Sequence, residues 1–169
     1  MVEEIGILVD ETDRVVGTAP RSEIRSRNLL HRGAAIVVRD QAGRVFLHRR
    51  TETKDVYPGA YDAVVGGMVQ AGETYDETAR RELAEEVGIT AEPRFLFTHR
   101  FRDGHNNAWM AVYEVTWDGP VRLQAEEVAW GDWVTVDDAA SRTRAETFAA
   151  DHLDVFRRYL ADREAREAH

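Results

Sequence analysis

Three observations predict a single α/β domain for this chain. Its 169 residues, of which 43% are hydrophobic, match the size of one compact domain with a sizeable core. Short β-rich runs are interleaved with two helical patterns, which is typical of an α/β architecture. No internal repeat, low-complexity tract or Pro/Gly-rich linker divides the chain. We therefore expect residues 1–169 to fold as one domain.

The first 30 residues are expected to form an extension built on a β-hairpin. The β-rich runs 5–9 and 14–18 flank residues 10–13, a polar cluster with the composition of a hairpin loop. Pro20 then opens a basic connector with helical character that lasts to about residue 30. Further along, runs 34–38 and 45–48 are separated by a short turn and predict an antiparallel strand pair.

A helix over residues 75–87 is the most clearly marked element. Thr74 and Glu77 have capping-box spacing, and Gly88 lies where a left-handed C-terminal cap is expected. The apolar run 63–65 leads towards this helix through Gly66 and Gly67.

The C-terminal half predicts three strands and a second helix. The strands are expected at 95–101, 109–115 and 133–136, and the helix at 145–160. The side chains at helical spacing in that helix segment are Phe148, His152, Val155, Phe156 and Tyr159.

Charge and composition exclude several classes of protein. The net charge of −9 disfavours non-specific binding to nucleic acid or to an anionic membrane. The absence of cysteine excludes a disulfide scaffold, a thiolate zinc site and a cysteine nucleophile. The acidic N-terminus lacks the basic start of a secretory signal, and no apolar run approaches the ~20 residues of a membrane span. We expect a cytoplasmic protein with a small-molecule partner, no nucleic acid and no membrane.

Three carboxylates share one face of the predicted helix. Glu82, Glu85 and Glu86 stand at i, i+3 and i+4, and such like charges destabilise an isolated helix by roughly 0.2–0.5 kcal/mol per pair. Arg81 neutralises only part of this charge. A hard divalent cation such as Mg²⁺ is the natural complement, although three glutamates alone are more often a solvated acidic face.

The context of these glutamates is more specific. Residues 67–89 read GMVQAGETYDETARRELAEEVGI, with Gly, Glu, Arg-Glu, Glu-Glu and Gly at fixed intervals. A chance match to this pattern has a probability on the order of 10⁻⁹ per start point. The pattern is the Nudix signature, and on it the chain is identified as resembling the Nudix hydrolase family.

The resemblance implies an α/β/α sandwich with a mixed central sheet, and hydrolysis of a diphosphate linked to another group. It implies Glu82 and Glu86 as metal ligands, Glu85 as a ligand or near-ligand, and the Gly67 carbonyl as a further oxygen donor. Mg²⁺ is the implied metal, with Mn²⁺ as a substitute.

Two further pairs of residues receive roles from the resemblance. Glu73 and Arg81 are expected to brace the segment structurally. A carboxylate must accept the proton of the attacking water, and both Glu82 and Glu127 stay open for this general-base role.

Outside residues 67–89, the closest similarity is to the branch with type I isopentenyl-diphosphate isomerase and the uncharacterised Nudix hydrolases like it. Arg50 and Lys54 match basic residues that hold diphosphate there, and Glu127 matches a downstream acidic ligand. By themselves, basic residues at a strand end are usually solvated charges.

The departures from that branch favour a hydrolase. Gly66 stands where the isomerase needs a catalytic cysteine, Met68 where it has a histidine ligand, and Ala125 where it has a glutamate. The prediction is a Mg²⁺-dependent pyrophosphohydrolase acting on a nucleoside diphosphate linked to another moiety. The alternatives are isopentenyl-diphosphate isomerase-like activity and a non-catalytic ligand-binding Nudix protein. A homodimer, the number of metal ions and the leaving moiety stay open.

Overall fold

The computed structural model describes residues 2–168. Within that range the fold is a nine-stranded mixed sheet with four helices. The elements in chain order are β1 (Ile5–Val9), β2 (Val15–Pro20), α1 (Arg21–Arg27), β3 (His31–Arg39), β4 (Val45–Arg50), β5 (Tyr61–Asp62), β6 (Val65–Met68), α2 (Tyr75–Val87), β7 (Arg94–Arg102), β8 (Asn107–Thr116), β9 (Val128–Val134), α3 (Val136–Ala145) and α4 (Ala150–Glu167).

Strand β3 is the centre of the sheet. It runs parallel to β8 along its whole length and antiparallel to β6. Strand β8 in turn pairs antiparallel with β7. The sheet therefore contains both pairing types, as the predicted mixed sheet requires.

The predicted antiparallel pairing of 34–38 with 45–48 is present, but it is confined to the end of the two strands next to the turn. Strands β3 and β4 share a single pair, Arg39 with Val45. The flanks of β3 are occupied by β6 and β8 over most of its length, so β4 diverges from it. Strand β4 pairs instead with β9, from Val45 opposite Val134 to Arg50 opposite Val128.

Helices cover both faces of the sheet. Because successive residues of a strand point to opposite faces, β3 contributes to two cores. Ala34, Ile36 and Val38 pack in the core beneath α2, whereas Ala35 and Val37 pack in the core beneath α4. The α/β/α sandwich that the sequence predicts is confirmed.

The N-terminal segment forms the expected hairpin. Strands β1 and β2 pair antiparallel, and β1 joins the main sheet through Leu8 opposite His31. Helix α1 follows at once and is capped at its C-terminus by Asn28, which takes a left-handed conformation with φ 50°. Strand β2 begins and ends slightly later than the predicted run 14–18.

The C-terminal segment differs from the prediction. The expected strand at 133–136 is the end of β9 and the start of a helix, α3, that the sequence pattern did not reveal. Thr135 caps α3, because its hydroxyl accepts a 3.0 Å hydrogen bond from the Asp138 backbone N–H. The predicted helix at 145–160 starts only at Ala150.

A long-range contact explains this delayed start. The Tyr61 backbone N–H donates to the Thr147 carbonyl, and the Ala149 N–H donates to the Tyr61 carbonyl, both at 2.9 Å. The chain between α3 and α4 is thus held extended against β5. No helix between residues 2 and 168 combines the length and apolar character needed to cross a bilayer.

Candidate active site

Helix α2 presents its carboxylates to a cavity of about 520 Å³. The helix spans residues 75–87 as predicted, with the Thr74–Glu77 capping box formed and Gly88 at φ 68°. The cavity brings together side chains and backbone from α1, β3, β6, α2 and α4. Of the residues predicted to bind metal or phosphate, the cavity is lined by Arg50, Lys54, Gly67, Glu82, Glu85, Glu86 and Glu127.

Glu82 and Glu86 are the two buried carboxylates of the set. Burial raises the pKa of Glu82 to about 7, although Arg81 donates a 2.9 Å hydrogen bond to it. Burial, reinforced by the charge of Glu82, raises the pKa of Glu86 well above its ordinary value. Within residues 2–168, the Glu86 carboxylate has no hydrogen-bond or ion-pair partner. The raised pKa values mean that the chain by itself compensates poorly for negative charge on these two carboxylates.

Glu85 and Glu127 lie at the more exposed side of the cavity. The Glu85 side chain is 51% exposed and receives a 3.3 Å contact from Arg81. Glu127 is ion-paired with Lys54, the single lysine of the sequence. The lysine that the sequence assigns to phosphate thus lies directly against a carboxylate that it assigns to metal.

Arg81 forms hydrogen bonds that connect different parts of the segment 67–89. Its guanidinium donates to both carboxylate oxygens of Glu73, at 2.7 and 3.0 Å, and to the Met68 carbonyl at 3.2 Å. The same guanidinium contacts Glu82. Glu73 does not line the cavity. Arg81 therefore links the loop before α2 to the carboxylate face, which is the contact that a structural brace needs.

Arg50 is already bonded within the chain. It donates to the Val56 carbonyl from Nε and Nη2, at 3.1 and 2.9 Å, and from Nη1 to Asp62 at 3.5 Å. Its side chain is only 13% exposed. A phosphate can therefore contact only the part of the Arg50 guanidinium that these bonds leave free. Lys54, in contrast, has to give up only its ion pair with Glu127 to contact a phosphate.

The cavity residues that were not predicted as site residues include Arg25, Asn106, Asp151 and His152. Arg25 Nη1 donates to the Asn106 amide oxygen at 2.9 Å, and the Asn106 amide nitrogen donates to Asp151 at 2.8 Å. His152 could have been recognised in the sequence because it is a titratable side chain within the apolar stripe of α4. We call these four residues the polar wall.

His152 forms a buried pair with Asp62. Nδ1 of His152 lies 2.8 and 3.0 Å from the two carboxylate oxygens of Asp62, and Asp62 also accepts the Val64 backbone N–H at 3.1 Å. Burial by itself would raise the pKa of Asp62, but the attraction of His152 holds it well below its usual range. Against the opposing effect of burial, Asp151 and Asp62 raise the pKa of His152 to about 9.

The residues of the cavity fit a hard divalent cation. Nine Asp and Glu side chains but only four Arg and Lys side chains of the described chain line it, and the carboxylates of α2 offer oxygen donors only. A Cβ atom on Gly67 would lie 2.3 Å from Glu82 Oε1, so glycine leaves the room that this carboxylate occupies. Among residues 2–168 no three His, Asp or Glu side chains are already arranged as a complete ligand set. Glu82 and Glu85 instead contact Arg81, and Glu127 contacts Lys54.

Comparison with known proteins agrees with this geometry. The family model of the NUDIX domain matches residues 29–159, and the chain belongs to the Nudix family. It is a hydrolase acting on diphosphate bonds.

Two curated relatives extend the likeness over nearly the whole chain. An uncharacterized Nudix hydrolase of Streptomyces coelicolor is 46% identical over 166 residues, covering 96% of this chain and 92% of its own. Another from Pseudomonas aeruginosa is 41% identical over 157 residues, covering 90% of each. The crystal structure of DR0079 from Deinococcus radiodurans is 30% identical with a TM-score of 0.80, covering 92% of this chain and 98% of that one.

Proposed function

We propose that the protein is a Mg²⁺-dependent pyrophosphohydrolase of a nucleoside diphosphate linked to another moiety, with Mn²⁺ as a substitute. The observation that carries this proposal is the excess of acidic over basic side chains in the cavity, with Glu82 and Glu86 buried. A diphosphate is repelled by such a cavity unless divalent cations accompany it.

In this proposal Glu82, Glu86 and the Gly67 carbonyl hold the metal, with Glu85 and Glu127 completing the site from its exposed side. Bound Mg²⁺ supplies charge stabilisation to the leaving phosphate and lowers the pKa of a bound water. Glu73 and Arg81 position the carboxylates.

The proton of the attacking water goes to a carboxylate oxygen of Glu82 or Glu127. Each has one oxygen engaged by a cation, Glu82 by Arg81 and Glu127 by Lys54, so each has a second oxygen for this role. Lys54 and Arg50 bind the phosphate oxygens. For Lys54 this means leaving Glu127, a change that suits the flexible stem and compact charge of lysine.

The isomerase alternative meets a steric obstacle. A Cβ atom on Gly66 would lie 2.0 Å from the Ala34 carbonyl oxygen of the neighbouring strand β3. The cysteine that such an isomerase requires at this position would force β3 and β6 apart. We propose a small-molecule substrate and no nucleic acid, since the net charge is −9.

A substrate panel tests the proposed function. Nucleotide sugars, dinucleotides, nucleoside di- and triphosphates and prenyl diphosphates are incubated with Mg²⁺, with Mn²⁺ and with chelator, and the products are identified by mass spectrometry. We expect cleavage between the two phosphates of a nucleoside diphosphate derivative, lost with chelator. Deuterium incorporation into isopentenyl diphosphate without hydrolysis of any compound would contradict the proposal.

A further inference from the structure

The polar wall contains hydrogen-bond donors that the chain itself leaves free. His152 is tied to Asp62 through Nδ1, and Asp62 does not line the cavity whereas His152 does. The opposite ring nitrogen, Nε2, is therefore on the cavity side. Within residues 2–168, its nearest acidic atom is an Asp151 oxygen at 3.9 Å, beyond hydrogen-bond distance. Since the buried pair with Asp62 favours the protonated ring, Nε2 presents an unused N–H to the cavity.

Arg25 supplies the second free donor. Its Nη1 is bonded to Asn106, whereas its Nη2 has no hydrogen-bond partner in the described chain, and its buried Nε, also without a hydrogen bond, lies 3.7 Å from an Asp55 oxygen. A buried guanidinium N–H without an acceptor costs free energy, and this cost disappears when a ligand supplies the acceptor. Arg21 contrasts with it, because Arg21 is fully engaged by Asp55 and Glu4.

The acidic groups near these donors are already occupied. One oxygen of Asp151 accepts from Asn106, and the other accepts the His152 backbone N–H at 2.7 Å. Asp55 takes a two-point contact from Arg21. An acceptor arriving in the cavity therefore meets N–H groups of Arg25 and His152 whose neighbouring carboxylates are bonded to other groups.

The wall is also preorganised. Asn106 is held by Asp103, whose carboxylate accepts the Asn106 backbone N–H at 2.7 Å, and its side chain joins Arg25 to Asp151. The donors come from α1 and α4, two elements that lie outside residues 67–89. Donors fixed before binding lose little conformational entropy when a ligand arrives.

We propose that Arg25 and His152 form a second anion-binding subsite of the cavity, which receives a phosphate monoester or a carboxylate that the substrate carries in addition to its diphosphate. This inference rests on the proposed pyrophosphohydrolase function and narrows it to substrates with a further acidic group. A prenyl group, which has no acceptor, does not fit these two donors.

Three matched pairs of compounds test the subsite. Coenzyme A and dephospho-coenzyme A differ by a phosphate monoester, as do NADPH and NADH, whereas UDP-glucuronic acid and UDP-glucose differ by a carboxylate. With Mg²⁺, the wild-type kcat/KM for the member with the extra anion is expected to exceed that of its partner by about tenfold or more in at least one pair. The pair that responds identifies the kind of anion.

The variants Arg25→Gln and His152→Asn are expected to lower this ratio to about 1. Both keep a polar side chain, and the Asn amide can still donate to Asp62. The matched controls are Arg27→Gln, which lies on α1 outside the cavity, and His99→Asn, whose ring pairs with Asp154 outside the cavity. Both controls are expected to retain the wild-type ratio.

A ratio near 1 in all three wild-type pairs, or one that Arg25→Gln leaves unchanged, would overturn the subsite. If no compound is hydrolysed, the proposed function fails, and the subsite is judged by thermal stabilisation from the same six compounds. Greater stabilisation by the acidic members, lost in Arg25→Gln, supports it, whereas equal or absent stabilisation overturns it. Should His152→Asn fail to fold, Arg25→Gln and Arg25→Lys decide, and the lysine variant is expected to retain part of the preference.

Discussion

The surroundings shift the pKa values of two buried carboxylates, Glu86 and Asp62, in opposite directions. Asp62 accepts hydrogen bonds from His152 and from the Val64 backbone, lies 3.5 Å from Arg50 Nη1, and has a lowered pKa. Glu86 has no such partner within residues 2–168, and its pKa is raised by burial and by the charge of Glu82.

The difference distinguishes a buried charge that the chain itself compensates from one that it leaves uncompensated. A buried ion is tolerated when hydrogen bonds and an opposite charge compensate for its desolvation. Asp62 meets this condition inside the chain and fixes Arg50 and His152 in place. Glu86 does not meet it inside the chain, and in the proposed function a divalent cation supplies the compensation.

Glu86→Gln should give the largest effect. We expect turnover with Mg²⁺ to fall by about 10³-fold, because a metal-ligand charge is lost while the side-chain shape is kept. In chelator the same variant should melt about 3 °C higher, because Gln removes the cost of burying a carboxyl group that is ionised in the unfolded chain. Activity assays and thermal melts check both. Glu85→Gln, on the same helix but half exposed, serves as the control and should leave the melting temperature nearly unchanged. A Glu86→Gln protein that retains most of its rate would rule out the metal assignment.

Asp62→Asn should show the opposite sign in stability. Losing this charge leaves His152 and Arg50 without their buried counter-ion, and we expect a decrease of about 10 °C in the melting temperature. Asp154→Asn removes the acid of the exposed His99–Asp154 pair and should change it by about 2 °C or less. Equal decreases in melting temperature for Asp62→Asn and Asp154→Asn would show that burial does not make the His152–Asp62 pair more stabilising than the His99–Asp154 pair.

Lys54→Ala tests the ion pair with Glu127. We expect kcat/KM to fall by about 10- to 100-fold because a phosphate contact is lost. Mg²⁺ affinity, measured by calorimetry, should rise, since Glu127 is released from its counter-ion. Lys54→Arg is the control that keeps the charge. Its kcat/KM and its Mg²⁺ affinity should lie between those of the wild type and those of Lys54→Ala. If Lys54→Ala matched the wild type in both measurements, neither the phosphate role nor the competition at Glu127 would stand.

The His152–Asp62 pair predicts a smaller, pH-dependent effect. The folded-state pKa of His152 is about 9, above its ordinary value of 6.5, so its charge stabilises the fold below pH 6.5 and this contribution is lost as the pH rises through 9. The groups that face the ring are Asp62 on β5, Asp151 on α4, and Arg50 and His48 on β4. Because the pKa of Asp62 is lowered, its own contribution is lost only in strong acid.

Thermal melts of the wild type and of His152→Asn measure this contribution. The difference between their melting temperatures should shrink by about 5 °C between about pH 6.5 and about pH 10. A constant difference over that range would mean that His152 is neutral in the folded protein. His99→Asn, in the exposed pair with Asp154, is the control variant.

The sequence by itself determined the parts whose physics is local. Helix α2 is specified by its capping box, by Gly88 and by the spacing of Glu82, Glu85 and Glu86, all within one short segment. The hairpin of β1 and β2 is specified by two β-rich runs around a polar turn. The Nudix pattern added what local physics does not supply, namely the sandwich fold and the convergence of Arg50, Lys54 and Glu127 on α2.

Only the tertiary structure decided which charges are compensated. Asp62 and His152 are separated by 90 positions in the sequence, and their pairing depends on β5 meeting the start of α4. The same contact holds residues 146–149 extended, so the helix predicted from residue 145 starts only at Ala150. Such contacts arise from the packing of the whole sheet, in which a strand takes its partners by burial and register. These contacts cannot be predicted from the periodicity of a short segment. The polar wall and its free donors were therefore found only from the three-dimensional structure.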